Sequence, residues 1–175
     1  MQFRKTGLEG AWLIDQQPSR DERGSFARTF CVHEFSDHGL ESKFVQHSMS
    51  TSTQRHTLRG MHFQSDPHAE VKLVSCLRGA VYDVIADLRP HSPTHLQWQG
   101  FELTQANRSQ LYIPEGFAHG FLTLEPDTVV NYLISKFYAP EAATGVRFDD
   151  PLLAIDWPAE PAVISDKDRN WPLLG

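Results

Sequence analysis

Two short motifs set histidines where acid–base chemistry could occur: Arg59-Gly60-Met61-His62-Phe63-Gln64 and Pro114-Glu115-Gly116-Phe117-Ala118-His119-Gly120-Phe121. Around the first, Arg59 stands three residues before His62 and Lys72 ten after it. A proton-transfer group would therefore share its surroundings with fixed positive charge, which suits an anionic substrate and an anionic intermediate. Side chains alternate along a strand, so His62 and Gln64 share one face, and Lys72 shares a face with Val74 and Cys76. An ammonium directed into so apolar an interior needs a ligand or a partner.

Each of these residues also has a plainer reading. A lone histidine in a β-protein is more often packing than chemistry, but the convergence of Arg59, Gln64 and Lys72 on His62 favours a functional role. The spacing Pro114-x-Gly116-x-x-His119 matches the second motif of the cupin superfamily, whose histidine often binds metal. A metal site there would also need a His-x-His pair and a glutamate in the first motif, where this chain has His62-x-Gln64 and then Lys72. Clustered cations oppose a metal ion. His119 is therefore predicted to be a pocket residue bonded to a carboxylate, with Asp83 a candidate. Taken alone, Tyr132 reads as half-buried packing, and Arg23 and the Ser165-Asp166-Lys167-Asp168 cluster read as surface turns.

Short β-patterned runs must position these groups: Val71 to Arg78, Ala80 to Leu88, Leu96 to Leu103, Ser109 to Ile113, Phe117 to Thr123 and Thr128 to Ser135. Ala11 to Asp15, Ser25 to Phe30, Phe44 to Ser50 and Thr57 to Gln64 are earlier candidates, with Val32 to His38 as the best helix. Gly, Pro, Asn and Asp punctuate the runs, which predicts a sandwich or barrel. Beyond Tyr138, five prolines mark a tail of ordered loops packed on the body. At 175 residues the chain fits one domain, and its net charge of −6 argues against a nucleic-acid-binding surface. Only Cys31 and Cys76 are present, so neither a disulfide framework nor a thiolate metal site is indicated. Without a signal peptide or an apolar run of membrane length, a cytoplasmic protein away from membranes is expected.

In ordered blocks along nearly its whole length the chain resembles the dTDP-4-dehydrorhamnose 3,5-epimerase family of deoxysugar biosynthesis. The blocks are Asp21 to Gly24, Leu58 to Gln64, Lys72 to Val74, Tyr82 to Val84, Asp87 to Arg89, Ile113 to Phe121, Asp150-Pro151, Ile155 to Pro158 and Ser165 to Asp168. The resemblance implies a mainly β, cupin-like jelly roll (a double-stranded β-helix) with short flanking helices. It implies a homodimer that exchanges strands and uses no metal or organic cofactor. The implied substrate is a nucleotide-linked 4-keto-6-deoxyhexose, epimerised by proton removal beside the ketone and reprotonation from the opposite face. His62 would be the base, Asp168 its partner, Tyr132 the opposing acid, and Lys72 the cation at the enolate oxygen. Arg23 and Arg59 would hold the diphosphate. Gln46, Gln64, His119 and Lys167 would contact the substrate and Tyr138 would stack on the base.

The chain departs from the family pattern in three places. Arg28 stands where an acidic residue is usual, Gln46-His47-Ser48 replaces Gln-Asp-Asn, and Thr144 occupies the position of a frequent glutamate. Arg28 and Ser48 are accordingly expected at the rim of the nucleotide site, relaxing the preference for thymine. Other readings of the same residues are a 3-epimerase that inverts one carbon, a non-catalytic sugar-nucleotide-binding protein and a metal-dependent cupin.

Overall fold

The computed structural model describes residues 1–175. In chain order its elements are β1 (Gln2–Lys5), β2 (Trp12–Asp15), β3 (Ser19–Asp21), β4 (Gly24–Phe26), α1 (Val32–Asp37), β5 (Gln46–Ser52), β6 (Thr57–Gln64) and β7 (Lys72–Arg78). They continue as β8 (Ala80–Asp87), β9 (Trp98–Thr104), β10 (Ser109–Ile113), β11 (Phe117–Thr123), β12 (Thr128–Ile134), β13 (Ala143–Gly145), β14 (Val163–Ile164) and α2 (Asp166–Arg169).

One sheet has the order β1-β2-β10-β7-β12-β5 and the other β13-β6-β11-β8-β9, with β14 added beside β6. From β5 to β12 the chain passes repeatedly between the two sheets, staying in one sheet only at the β8–β9 hairpin, so most neighbours in a sheet come from distant parts of the sequence. This is the expected cupin-like jelly roll. Period two distributes its side chains: Val74, Leu111, Ile113 and Val130 face the core between the sheets with Val81, Ile85 and Phe121. The alternate residues Leu73, Tyr112 and Leu133 point outward and pack with Ile14 and Phe35, the latter on α1. Across the molecule, Val84 and Ala86 turn outward from β8 toward Val146 and Leu153. Central strands covered on both faces explain the nearly unbroken apolar runs. No helix is long and apolar enough to cross a membrane.

The predicted strands from Thr57 to Gln64, Ser109 to Ile113 and Phe117 to Thr123 have the bounds observed. Four differences have local causes. The strand expected from Ser25 to Phe30 stops at Phe26 and pairs only with β3, because the two-residue turn Glu22-Arg23, followed by Gly24 at φ +127°, folds the segment into a separate hairpin. β1 is an edge strand of mostly polar residues, and β13 has three residues; neither carries a period long enough to read. The expected loop-only tail contains β14, which pairs in parallel with β6 through Val163↔Thr57 and Ile164↔Leu58, and then the single turn α2. Buried Asp150 secures that tail by accepting the backbone N–H groups of Leu152 at 2.8 Å and Leu174 at 2.7 Å.

The crossing of β6 and β11 fixes the centre of the molecule. Gly60 has φ +147°, and a Cβ placed on it would stand 2.5 Å from the Gly120 Cα. The two glycines let the strands close, with a register shift that leaves His62 opposite His119. A side chain at residue 60 would face both left-handed backbone strain and fixed backbone atoms. Gly60→Ala is expected to lower the unfolding free energy by about 3 kcal/mol, read as a reduced urea midpoint at unchanged slope; a midpoint equal to wild type would show that the strands can separate without cost.

Candidate active site

β6 carries Arg59 and His62 from one sheet, and β7 and β12 bring Lys72 and Tyr132 from the other, so the groups meet in the cleft between the sheets. A cavity of about 610 Å³ opens there, bordered by Arg59, His62, Lys72, Tyr138, Asp168 and Trp171. A second space of about 320 Å³ shares Arg59, His62 and Lys72 and adds Ser50, His119 and Tyr132. His62 and Lys72 thus stand at the junction of two compartments.

His62 Nε2 lies 2.6 Å from Asp168 Oδ1. The imidazole is partly open to solvent, whereas the carboxylate is buried, with 6% of its side chain exposed. Asp168 also accepts the Gly60 N–H on Oδ2 at 3.2 Å and the Trp171 indole N–H on Oδ1 at 3.3 Å. Burial alone would push its carboxyl pKa up, but the hydrogen bond and charge of His62, with the Gly60 and Trp171 donors, hold it below the ordinary carboxylate range. Ser165 caps α2 by accepting the Asp168 N–H at 3.1 Å, which fixes the carboxylate's approach. A cluster that reads as a solvated turn is therefore folded into the site by contacts 106 residues away in sequence.

A second pair lies deeper. His119 Nε2 is 2.9 and 3.0 Å from the two oxygens of Asp83, both residues being buried, in line with the carboxylate expected for His119. Tyr132 meets the His119 ring edge-on at 6.1 Å, and its hydroxyl lies 3.4 Å from Ser50 Oγ. Burial pushes the Tyr132 hydroxyl well above the ordinary phenol range, outweighing the Ser50 hydrogen bond, so it stays protonated and able to donate near neutral pH. The histidines and carboxylates are combined in pairs; no group of three or more His, Cys, Asp or Glu side chains is gathered to hold an ion.

The apolar surroundings of Lys72 are answered by Glu70, whose Oε1 lies 3.0 Å from Nζ. Gln46 and Gln64 border the cavity but serve the backbone. Gln46 Oε1 accepts the Tyr138 N–H at 2.5 Å, and Gln64 accepts the Ala139 N–H at 2.7 Å and donates to the His68 carbonyl at 2.9 Å. Together they hold the segment that presents exposed Tyr138. Lys167 stands 5.0 Å from the Trp171 ring centroid, and both residues line the larger cavity.

Three expected contacts fall elsewhere. Arg23 is 83% exposed on the β3–β4 hairpin, paired with Asp21, and Arg28 binds Glu34 at 3.0 Å; neither borders the two compartments of its own chain. Ser48 lies in the smaller compartment, opposite Tyr132 on the neighbouring strand, and so accompanies the inner groups and not the outer cavity of Tyr138. Glu70 and Trp171 were not legible as site residues. Glu70 looks like an ordinary surface charge before a strand, and Trp171 sits among prolines and polar residues with no period. Thr144 lines the larger cavity from β13.

The profile of the family described as dTDP-4-dehydrorhamnose 3,5-epimerase matches residues 5–175. A dTDP-4-dehydrorhamnose 3,5-epimerase of Methanothermobacter thermautotrophicus is 46% identical, over 98% of this chain and 94% of its own. The crystal structure of the Bacillus anthracis dTDP-4-dehydrorhamnose 3,5-epimerase with TDP and PPi bound superposes with a TM-score of 0.96 at 42% identity, covering 99% of each chain. That of the Legionella pneumophila dTDP-6-deoxy-D-glucose-3,5-epimerase in complex with dTDP-4-keto-L-rhamnose has a TM-score of 0.92 at 38% identity, covering 98% of this chain and 92% of that one.

The depressed Asp168 carboxyl makes a pH-dependent contribution to stability. A lowered folded pKa stabilises fully above the unfolded value of roughly 4 and loses that contribution as pH falls through the folded value. The difference in unfolding free energy between wild type and Asp168→Asn is therefore expected to shrink as pH falls below about 5. Urea titrations across that range test it; a difference independent of pH would mean that the His62 contact does not perturb the carboxyl.

Proposed function

The chain belongs to the dTDP-4-dehydrorhamnose 3,5-epimerase family, and from that membership we propose that it inverts C3 and C5 of a dTDP-linked 4-keto-6-deoxyhexose through enolate intermediates. The observation that carries this reading is the 2.6 Å His62–Asp168 pair, set at a cavity where Lys72 and a protonated Tyr132 also converge. A proton on a carbon beside the ketone is acidic because its removal leaves an enolate. His62 takes that proton as a general base, and Asp168 stabilises the resulting imidazolium and fixes its orientation. Lys72 meets the negative charge developing on the ketone oxygen, where such a donor typically contributes about 3–4 kcal/mol. Tyr132, from the facing sheet, returns a proton to the opposite face of the carbon, which inverts it.

Arg59 suits the diphosphate: its guanidinium borders both compartments and is steadied by Ser52 Oγ at 3.2 Å and the Thr51 carbonyl at 3.0 Å. Lys167 and Tyr138 line the outer cavity and suit the nucleotide end. The β3–β4 hairpin supports a homodimer, because Arg23 and Phe26, 83% and 79% exposed, are presented on a ribbon paired to neither main sheet of its own chain. In such a dimer the hairpin would deliver Arg23 to the partner's cavity. Two free cysteines suit a reducing, cytoplasmic compartment. Lys72 supplies the positive charge that a metal would otherwise bring, so the reaction is read as metal-independent.

Two experiments test this reading. In deuterated water with dTDP-4-keto-6-deoxyglucose, wild type is expected to place deuterium at both C3 and C5; label at C3 alone would return the one-carbon epimerase. His62→Asn should slow exchange at both carbons by about a thousandfold while dTDP affinity holds, and Tyr132→Phe should lose inversion more than exchange. Equal losses of both in the two variants would remove the two-face assignment. Prolonged chelation should leave turnover unchanged, whereas chelator-sensitive turnover restored by a transition metal would place the protein among metal-dependent cupins.

A further inference from the structure

The ammonium of Lys72 has three N–H donors, and the protein occupies two of them. One reaches Glu70 Oε1 at 3.0 Å and another the His62 carbonyl at 3.3 Å. The third is left for a ligand at the junction of the two compartments. We infer that Glu70 is a positioning residue for the epimerisation, anchoring Lys72 so that a single N–H is presented to the ketone oxygen; this rests on the role of Lys72 proposed above.

The geometry around Glu70 is unlike that of a surface ion pair. Its side chain is 6% exposed and that of Lys72 12%. The second carboxylate oxygen, Oε2, is buried without any hydrogen-bond partner. An unpaired buried carboxylate oxygen is costly, and a buried ion pair is weak grounds for stability, so this arrangement disfavours a purely structural role. The segment holding Glu70 is fixed on both sides. Gln64 binds the His68 carbonyl, while Val71 exchanges hydrogen bonds with Ser135, its N–H reaching Ser135 Oγ at 2.8 Å and its carbonyl accepting the Ser135 N–H at 3.0 Å. The backbone therefore sets the carboxylate before substrate arrives, and the carboxylate sets the ammonium. A lysine with four rotatable carbons would otherwise sample many positions, and displacement of a charge-stabilising group by about 1 Å can cost about a hundredfold in rate.

The test compares Glu70→Gln, Glu70→Leu, Lys72→Met and the double variant Lys72→Met/Glu70→Leu by steady-state kinetics and thermal unfolding. Glu70→Leu is expected to lower kcat by about a hundredfold with KM changed by less than about threefold. Glu70→Gln keeps an oxygen that can accept from the ammonium, and should recover kcat to within about tenfold of wild type. The double variant should be no slower than Lys72→Met alone, because the anchor has nothing left to place. It should also melt no lower than wild type, since the buried pair is replaced by apolar groups. Should Glu70→Leu fail to fold, the double variant and Glu70→Gln still decide the matter. Multiplying losses in the double variant, or a kcat loss in Glu70→Gln as deep as in Glu70→Leu, would overturn the anchoring role. Wild-type turnover in Lys72→Met would instead overturn the assignment of Lys72 to the ketone oxygen.

Discussion

The Asp168 carboxylate is the joint on which the site depends. Taken from water, it must be paired, and it finds its partners on two parts of the chain: Gly60 and His62 on β6, and Trp171 in its own segment. The same contacts therefore orient the imidazole and seal the C-terminal segment to the central strand. Satisfying one buried charge is at once a packing requirement and, in the proposed reaction, a catalytic one, which explains why β14 and α2 are held against β6 despite little periodic sequence.

Charge is distributed around this joint by pairing. His62 with Asp168, His119 with Asp83 and Lys72 with Glu70 each combine a basic group with a carboxylate inside the cleft. Arg59 stands apart, held by a hydroxyl and a carbonyl and not by an acid, so its positive charge is not spent internally. A protein with net charge −6 can thus offer an anion a local welcome that its overall balance would not suggest. The facing sheets supply the two groups that the proposed reaction needs: β6 brings His62 to the cleft and β12 brings Tyr132, so a ring lying between them would meet an imidazole on one side and a phenol on the other.

Much of this was readable before the fold was known, and the rest failed for physical reasons. The Arg-Gly-x-His and Pro-x-Gly-x-x-His-Gly motifs marked β6 and β11, in part because the tight crossing of the two strands requires glycine at residues 60 and 120, a local rule written in local sequence. Long β runs were legible because burial on two faces enriches them in apolar residues. The hairpin of β3 and β4, the parallel pairing of β14 and the one-turn α2 were not, since each is stabilised by its context and too short to carry a period. The acidic partner of Lys72 is not legible in the sequence because nothing in Ala69-Glu70-Val71 distinguishes a buried carboxylate from an exposed one. Arg23 and Arg28 carry the right chemistry but occupy a ribbon and a helix contact outside their own cleft, which a single chain's sequence does not distinguish from the cleft itself.

That the segment from Val163 onward brings Asp168 and Trp171 to the cleft makes the site depend on a very small seam. β14 holds to β6 through only two residue pairs, Val163↔Thr57 and Ile164↔Leu58, whereas β6 and β11 are locked together by glycines at their crossing. Peeling of that seam would withdraw the carboxylate from His62 while the strands from β5 to β12 stay paired, so a folded jelly roll and an assembled cleft are separable states of one chain.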